Sequence, residues 1–173
     1  MITWIIGLAG SGKTSIGREV HALLKQRNPA TVLLDGDQFR NIMGEDLGHG
    51  IEERRRNGWR MARMCAFLDE QNIDVVCCIL SLFPDQREWC RRTFNRYFEV
   101  YVDVPMDELI RRDQKGLYSR ALAGKIENVA GVDIPFPPPE QPDLIISNVV
   151  PRTEFRSLAN NIVDAMNMGT TAP

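Results

Sequence analysis

The chain has 173 residues, 43% of them hydrophobic, which is enough for one core and too little for two typical domains. Its formal net charge of −2 argues against the overall basic character of a nucleic-acid-binding protein. No apolar run approaches membrane-spanning length, and no targeting segment precedes the first predicted strand. We therefore expect a cytoplasmic protein with one domain over residues 1–168, a frayed tail at 169–173, and neither nucleic-acid nor membrane partners.

The first predicted strand, residues 2–6, leads directly into GLAGSGKT, which fits the phosphate-binding pattern G-x-x-x-x-G-K-S/T at every position. The glycines allow backbone N–H groups to surround phosphate oxygens, and the helix predicted over residues 14–26 turns its positive end toward them. Lys13 supplies a cation for the β- and γ-phosphates, and the Thr14 hydroxyl is a ligand for Mg²⁺. The predicted nucleotide-binding residues are Gly7, Leu8, Ala9, Gly10, Ser11, Gly12, Lys13 and Thr14.

Four further apolar segments alternate with longer amphipathic stretches and are predicted as strands at residues 31–35, 73–80, 98–104 and 143–147. Five strands with intervening helices predict a three-layer α/β fold, in which a five-stranded parallel sheet carries helices on both faces. Ligands of such sheets bind beyond the carboxyl ends of the strands. The cysteines have no C-x-x-C spacing and are predicted to be core residues in a reducing compartment, with Cys77 and Cys78 on opposite faces of a strand.

Two aspartates separated by a glycine, Asp35 and Asp37, close the second predicted strand. At a strand end beside a phosphate loop, such carboxylates can hold the water ligands of Mg²⁺ or accept the proton of a hydroxyl group. Asp-Gly is also a common turn dipeptide, so a solvated turn is the alternative. The complete phosphate loop favours the functional interpretation, with Thr14, Asp35 and Asp37 as the predicted metal-binding residues.

A helix predicted to begin near Glu52 carries an arginine-rich first half. Arg54 and Asn57 are three residues apart and share a face with the apolar stripe that would pack on the sheet. They therefore point inward, which makes Arg54 a candidate bidentate partner for an anion. Arg55 and Arg56 lie off this face, and we expect them to be solvated.

A basic segment, residues 111–118, follows the fourth predicted strand and a short helix. Kinases often close such a segment over the transferring phosphoryl group, although a surface helix end explains the spacing equally well. We predict a lid over about residues 111–125, with Arg111, Arg112 and Lys115 as its cations. The proline-rich segment 134–142 cannot form regular hydrogen-bonded structure and is predicted to be an ordered loop or stiff connector.

In combination these features resemble the adenylylsulfate kinase family, whose members use ATP to phosphorylate the ribose 3′-hydroxyl of adenosine 5′-phosphosulfate. The resemblance covers about residues 2–148 and is far more specific than any single motif. Beyond the phosphate loop and Asp35–Asp37, it includes Arg40, Asp46–Gly48, Arg54, Asn57, Ser81, Arg112–Tyr118, Ala123–Gly124, Gly131–Asp133 and the proline-rich loop. It implies a P-loop NTPase-type fold, ATP and Mg²⁺ as cofactors, a small-molecule nucleotide substrate and a homodimer.

The resemblance also implies catalytic roles for Lys13, Asp35 and Asp37, with either aspartate orienting or deprotonating the 3′-hydroxyl. Ser81 occupies the position of a serine that is sometimes assigned as a transient phosphoserine. Because positioning and charge stabilisation suffice for phosphoryl transfer, we expect direct in-line transfer and a Ser81 that only binds. The predicted acceptor-binding residues are Asp37, Arg40, His49, Arg54, Asn57, Ile79, Leu80, Ser81, Lys115, Val129 and Ala130.

The departures from the family pattern concern the acceptor. His49 and Val129 stand where the family usually has two phenylalanines that resemble a sandwich around adenine, and both offer less aromatic area. The acceptor is therefore either adenosine 5′-phosphosulfate or, as in related capsule-assembly enzymes, cytidine 5′-diphosphoramidate, which the lid residue Gln114 also favours. A non-catalytic nucleotide switch is the weakest hypothesis, since the paired aspartates are present. Gly58 interrupts a helical family motif and is predicted to allow close approach of a ligand or neighbouring chain.

Overall fold

The computed structural model describes residues 1–44, 46–113, 115–149 and 155–168. Its strands are β1 (Ile2–Ile6), β2 (Val32–Asp35), β3 (Val75–Ile79), β4 (Tyr97–Asp103) and β5 (Leu144–Ser147). Its helices are α1 (Lys13–Arg27), α2 (Gly36–Ile42), α3 (Ile51–Glu70), α4 (Pro84–Thr93), α5 (Met106–Arg112), α6 (Leu117–Leu122) and α7 (Phe155–Met168). Gln114 and residues 169–173, the predicted frayed tail, lie outside the described ranges.

The strands form one parallel sheet in the order β2-β3-β1-β4-β5. β1 and β3 are buried at every residue, which explains why their sequences are nearly continuous apolar runs rather than alternating ones. The predicted five-stranded parallel sheet is therefore confirmed. Each predicted strand lies within two residues of an observed one at either end.

Helices cover both faces of this sheet. One core lies between the sheet and α1 and α7, and it contains Ile16, Cys78 and Ile162. The other lies between the sheet and α3 and α4, and it contains Met61 and Cys77. Adjacent residues of β3 thus belong to opposite layers, as predicted from the pleat of a strand. All four cysteines are buried free thiols, which confirms their assignment to the core.

The proline-rich segment has no regular helix or strand between residues 135 and 142. It is held against the sheet by Phe136, whose ring centroid lies 6.1 Å from that of Tyr101. The carbonyl oxygen of Gln141 also accepts a hydrogen bond from Arg91 at 3.3 Å. Within the described ranges, no helix is both long and apolar enough to cross a membrane.

Candidate active site

The candidate site lies at the edge of the sheet where β1, β2 and β3 end. Ile6 pairs with Ile79 and Asp35 pairs with Cys78, so the carboxyl ends of these three strands are level. The phosphate loop Gly7–Thr14, the Asp35–Asp37 turn and the segment after Ile79 consequently meet there. This is the edge at which parallel α/β sheets bind their ligands.

The phosphate loop ends in a conformation that favours glycine. Gly12, the N-cap of α1, has a φ of 92°, in the left-handed region that other residues rarely adopt. The Lys13 ammonium folds back toward the loop, with Nζ 3.4 Å from the carbonyl oxygen of Leu8. Burial lowers the pKa of Lys13, and the carboxylates of Asp37 and Asp35 oppose this shift. An ammonium group that is desolvated in this way favours the binding of an anion.

The two aspartates at the end of β2 differ in their partners. Asp35 is buried, and its Oδ2 accepts the Thr14 hydroxyl at 2.8 Å. Its Oδ1 caps α2 by accepting the N–H groups of Asp37 and Gln38 at 3.0 and 3.3 Å. Asp37 is exposed, and its carboxylate has no hydrogen-bond partner among the described residues. Asp35 is thus held in place, whereas the Asp37 carboxylate is free to bind.

Two cavities adjoin this turn, and Asp37, Arg40 and Arg54 line both of them. The larger has a volume of about 830 Å³, within the range of small-molecule sites, and the smaller about 60 Å³. The larger is also lined by the predicted residues His49, Lys115 and Val129, and the smaller by Asn57, Ile79, Leu80 and Ser81. Ala130 lines neither cavity, because it is buried beside Leu82 and Ile134. The structure thus brings together every predicted acceptor-binding residue except Ala130.

Two arginines concentrate positive charge where the cavities meet. Arg40 Nη1 donates to the carbonyl oxygens of Leu47 and Gly48 at 2.9 and 2.6 Å, while its buried Nε has no partner within the described part of the chain. Arg54 donates from Nε to His49 O and from Nη2 to Asn128 O, each at 2.7 Å. Burial and the neighbouring charge of Arg40 lower the pKa of Arg54. Such mutual repulsion between cations favours an anionic ligand.

The same positive charge acts on His49. Burial lowers the pKa of this side chain, and repulsion by Arg40 and Arg54 lowers it further. The imidazole is therefore expected to be neutral near pH 7. A neutral ring can stack on a nucleotide base without adding to the repulsion between the two arginines.

The floor of the smaller cavity contains polar groups in unusual environments. Asn57 is 5% exposed, and its buried Oδ1 has no hydrogen-bond partner among the residues that the structure describes. Ser81 has a φ of 53°, which is uncommon for a residue with a side chain and typical of functional positions. The Trp4 indole donates to Ser81 Oγ at 3.1 Å, and Arg87 Nη1 donates to Ser81 O at 2.7 Å. Neither supporting residue was predicted from the sequence, where Trp4 and Arg87 carry no local signal.

Two residues of α3 contact α4 in ways that the sequence did not indicate. Gly58 lines the smaller cavity, and it also allows the close approach of Gln86 from α4, because a Cβ at Gly58 would lie 2.3 Å from Gln86 Oε1. Arg56 is exposed as expected, whereas Arg55, whose side chain is 37% exposed, pairs with Asp85 at 2.7 Å and stacks on Phe83, with its guanidinium carbon 4.1 Å from the ring centroid. Both contacts arise because α4 packs beside this end of α3, which the periodicity of α3 alone does not indicate.

The predicted lid cations have different surroundings. Arg111 and Arg112 both pair with Glu108, and these bonds lower the pKa of that carboxyl to about 2. The Arg112 side chain is 5% exposed and also donates from Nη2 to the carbonyl oxygen of Asn148. Only Lys115 of the three lines a cavity described above. Asn148 was not predicted, although a polar residue directly after a parallel strand is a signal for a site.

A phosphate loop at the end of a parallel sheet, beside a free carboxylate and a cationic cavity, defines a P-loop phosphotransferase. Comparison with known proteins narrows this class. The model of the family described as adenylylsulphate kinase matches residues 1–147. The chain belongs to this family and is a nucleotide kinase that uses ATP, which confirms the predicted enzyme class and argues against the non-catalytic alternative.

Individual relatives agree with this assignment. Cytidine diphosphoramidate kinase from Campylobacter jejuni is 41% identical over 147 residues, which cover 85% of each chain. The probable adenylyl-sulfate kinase of Aeropyrum pernix is 35% identical over 166 residues, covering 94% of this chain and 88% of that protein. The Mycobacterium tuberculosis APS kinase CysC, solved in complex with AMPPNP and APS, superimposes with a TM-score of 0.85 at 30% identity and covers 96% of both chains.

Proposed function

We propose that this protein transfers the γ-phosphoryl group of ATP to the ribose 3′-hydroxyl of adenosine 5′-phosphosulfate, giving 3′-phosphoadenosine 5′-phosphosulfate and ADP. The observation that carries this proposal is the placement of Asp37. Its free carboxylate lines both cavities, near the desolvated ammonium group of Lys13 and together with Arg40 and Arg54. In this proposal Asp37 is the base, Lys13 is the cation for the transferring group, and Arg40 and Arg54 bind the acidic acceptor.

In this mechanism Asp37, rather than Asp35, orients the 3′-hydroxyl and accepts its proton. The 3′-oxygen attacks the γ-phosphorus in line while the bond from that phosphorus to the bridging oxygen of ADP breaks. Lys13 stabilises negative charge on the transferring group. Asp35 is a poorer base because both of its oxygens already accept hydrogen bonds.

The residues at the end of β2 also fit a magnesium ion. The Thr14 hydroxyl and the Asp35 carboxylate are hard oxygen donors whose atoms lie 2.8 Å apart, and they would hold the ion together with nucleotide phosphates. When bound, Mg²⁺ neutralises charge on the β- and γ-phosphates. Thr14 and Asp35 are accordingly the proposed metal ligands, and Asp37, the third residue of the predicted metal-binding set, would contact the water ligands of the ion while serving as the base.

The acceptor would be bound mainly through its 5′ acidic group and ribose. Arg40 and Arg54 supply the positive charge. Asn57 Oδ1, for which the described ranges offer no partner, can accept a hydrogen bond from a ligand hydroxyl. Lys115 would reach in from a lid over residues 111–125. Ser81 is 6% exposed, and its oxygen is engaged by Trp4, which supports a binding role over a phosphoserine intermediate.

Cytidine 5′-diphosphoramidate is the second candidate acceptor. Val129 is 3% exposed and packs into the core. Of the two positions that differ from the family pattern, only His49 therefore provides an aromatic ring that can stack on a base. A single small ring suits a pyrimidine better than the larger adenine. The 41% identity with the enzyme named for this substrate points the same way.

The test is a parallel assay of the purified protein with ATP, Mg²⁺ and each acceptor, comparing kcat/KM and locating the new phosphate by phosphorus NMR. Turnover of adenosine phosphosulfate with the higher kcat/KM supports the leading proposal, and the reverse order supports the second. His49→Phe should raise the ratio of kcat/KM in favour of the adenine acceptor. Failure to phosphorylate either compound would refute both proposals.

A further inference from the structure

Two buried side chains outside the phosphate loop bind its backbone carbonyl groups. The Tyr118 hydroxyl, from α6, donates to the carbonyl oxygen of Ala9 at 2.7 Å. Asn148, directly after β5, donates from Nδ2 to the carbonyl oxygen of Ser11 at 2.7 Å. Tyr118 is 2% exposed and Asn148 is 3% exposed. Both donor groups are therefore shielded from water, and the bond to Ser11 O is itself buried.

These two hydrogen bonds also fix the direction in which the next N–H groups of the loop point. In a trans peptide the C=O of one residue and the N–H of the next point in opposite directions. A hydrogen bond that holds Ala9 O therefore directs the Gly10 N–H away from Tyr118, and one that holds Ser11 O directs the Gly12 N–H away from Asn148. Neither N–H group has a hydrogen-bond acceptor among the described residues. Both remain available for an anion.

We propose that Tyr118 and Asn148 are positioning residues for the nucleotide donor. They hold the Ala9–Gly10 and Ser11–Gly12 peptides with the carbonyl groups turned outward before ATP binds. Without such a bond, a peptide can rotate and present its carbonyl oxygen, which repels phosphate, where an N–H group is needed. The inference rests on the proposed function only in taking ATP as the ligand of the loop. Preorganisation of this kind improves affinity because less ordering remains to be done on binding.

Further contacts restrict the movement of Tyr118 and Asn148. Asp113 accepts the N–H of Tyr118 at 2.9 Å, which fixes the first turn of α6. The Asn148 side chain packs against Gly12, where an added Cβ would lie 2.5 Å from Nδ2. The backbone of Asn148 is itself bonded on both sides, since its carbonyl accepts Arg112 Nη2 and its N–H donates to Asp103 O at 3.3 Å. Asn148 thus belongs to the end of the sheet, and Tyr118 is a buried residue through which the predicted lid is anchored to the phosphate loop.

The substitution Tyr118→Phe removes the hydroxyl group and retains the buried ring. Titration calorimetry with ATP and Mg²⁺, without acceptor, should show about five- to tenfold weaker binding, the loss expected for one buried neutral hydrogen bond. KM for ATP should rise in parallel, while the acceptor KM stays within about twofold. Asn148→Ala should weaken ATP binding at least as much, and the double variant should multiply the two effects, because each bond holds a separate peptide.

The matched control is Tyr97→Phe, which removes another tyrosine hydroxyl with a short bond, 2.6 Å to Glu99 Oε2, in the opposite layer of the protein. It should change the melting temperature without changing ATP affinity. If folded Tyr118→Phe and Asn148→Ala bind ATP as tightly as the parent, the positioning role is wrong. Absence of turnover on both acceptors, with ATP binding weakened as expected in the variants, would instead refute the proposed function alone.

Discussion

Replacing Gly58 with alanine tests the packing of α4 against α3. In an exposed helix this change would stabilise the protein by about 1 kcal/mol, because alanine is the better helix former. Here the new methyl group would lie 2.3 Å from Gln86 Oε1, so Gln86 must move. Gln86 is 3% exposed, and its Nε2 donates to Arg55 O at 2.8 Å.

Displacing this side chain combines steric strain with the loss of a buried hydrogen bond, which together cost about 2 to 4 kcal/mol. Subtracting the gain in helix propensity leaves a net destabilisation of about 1 to 3 kcal/mol. For a chain of this length, that corresponds to a fall in melting temperature of about 3 to 10 °C. Because Gln86 and Asn57 line the same small cavity, the acceptor KM should also rise.

The measurement is urea denaturation of four proteins: the parent, Gly58→Ala, Gln86→Ala and the double variant. Removing the glutamine side chain removes the obstacle, so Gly58→Ala should become stabilising in the Gln86→Ala background. A change of sign between the two backgrounds is therefore the expected result. If Gly58→Ala stabilises the parent protein, the close contact with Gln86 does not control this position.

Other substitutions address the site directly. Asp37→Asn should lower kcat by about 10²- to 10⁴-fold with little change in ATP affinity. The control Asp164→Asn, at an exposed site on α7, should leave turnover intact. If the Asp37→Asn variant kept an activity within a few-fold of the parent, Asp37 would be ruled out as the base. Arg54→Ala should raise the acceptor KM by about 10- to 100-fold and leave the ATP KM unchanged, because a charge-assisted bond to the acceptor is lost. An unchanged acceptor KM would contradict the inward-facing position assigned to Arg54. The pKa of His49 is lowered in the folded protein, so the unfolded state binds the proton first, and stability falls as the pH drops below about 6.5. NMR titration should show this pKa rising in Arg54→Ala, and no rise would exclude repulsion by Arg54 as a cause.

The phosphate loop and the paired aspartates could be predicted from the sequence because their signals are local. A strand, a glycine-rich turn and an amphipathic helix are specified by neighbouring residues, and the observed α1 differs from its prediction by one residue at each end. The alternation of strands and helices was sufficient to predict a parallel sheet. The inward face of α3 also followed from helical periodicity, since Asn57, Met61 and Cys65 are all buried.

Other features depend on residues that meet only after folding. The sheet order, the packing of Gln86 on Gly58 and the bond from Trp4 to Ser81 join segments far apart in the chain, and hydrophobic periodicity carries no information about such partners. The difference between Asp35 and Asp37 is of the same kind, because it depends on the Thr14 hydroxyl contacting one carboxylate and not the other.

The sequence by itself determined that this protein binds nucleotide phosphates on a parallel α/β sheet, since the loop, the strand before it and the helix after it are encoded within a few residues of each other. Only the tertiary structure decided which carboxylate is free, how two arginines come to face one cavity, and which buried donors hold the carbonyl groups of the loop. The physical reason is that hydrogen bonding, burial and charge repulsion act over a few ångströms in space, whatever the separation along the chain.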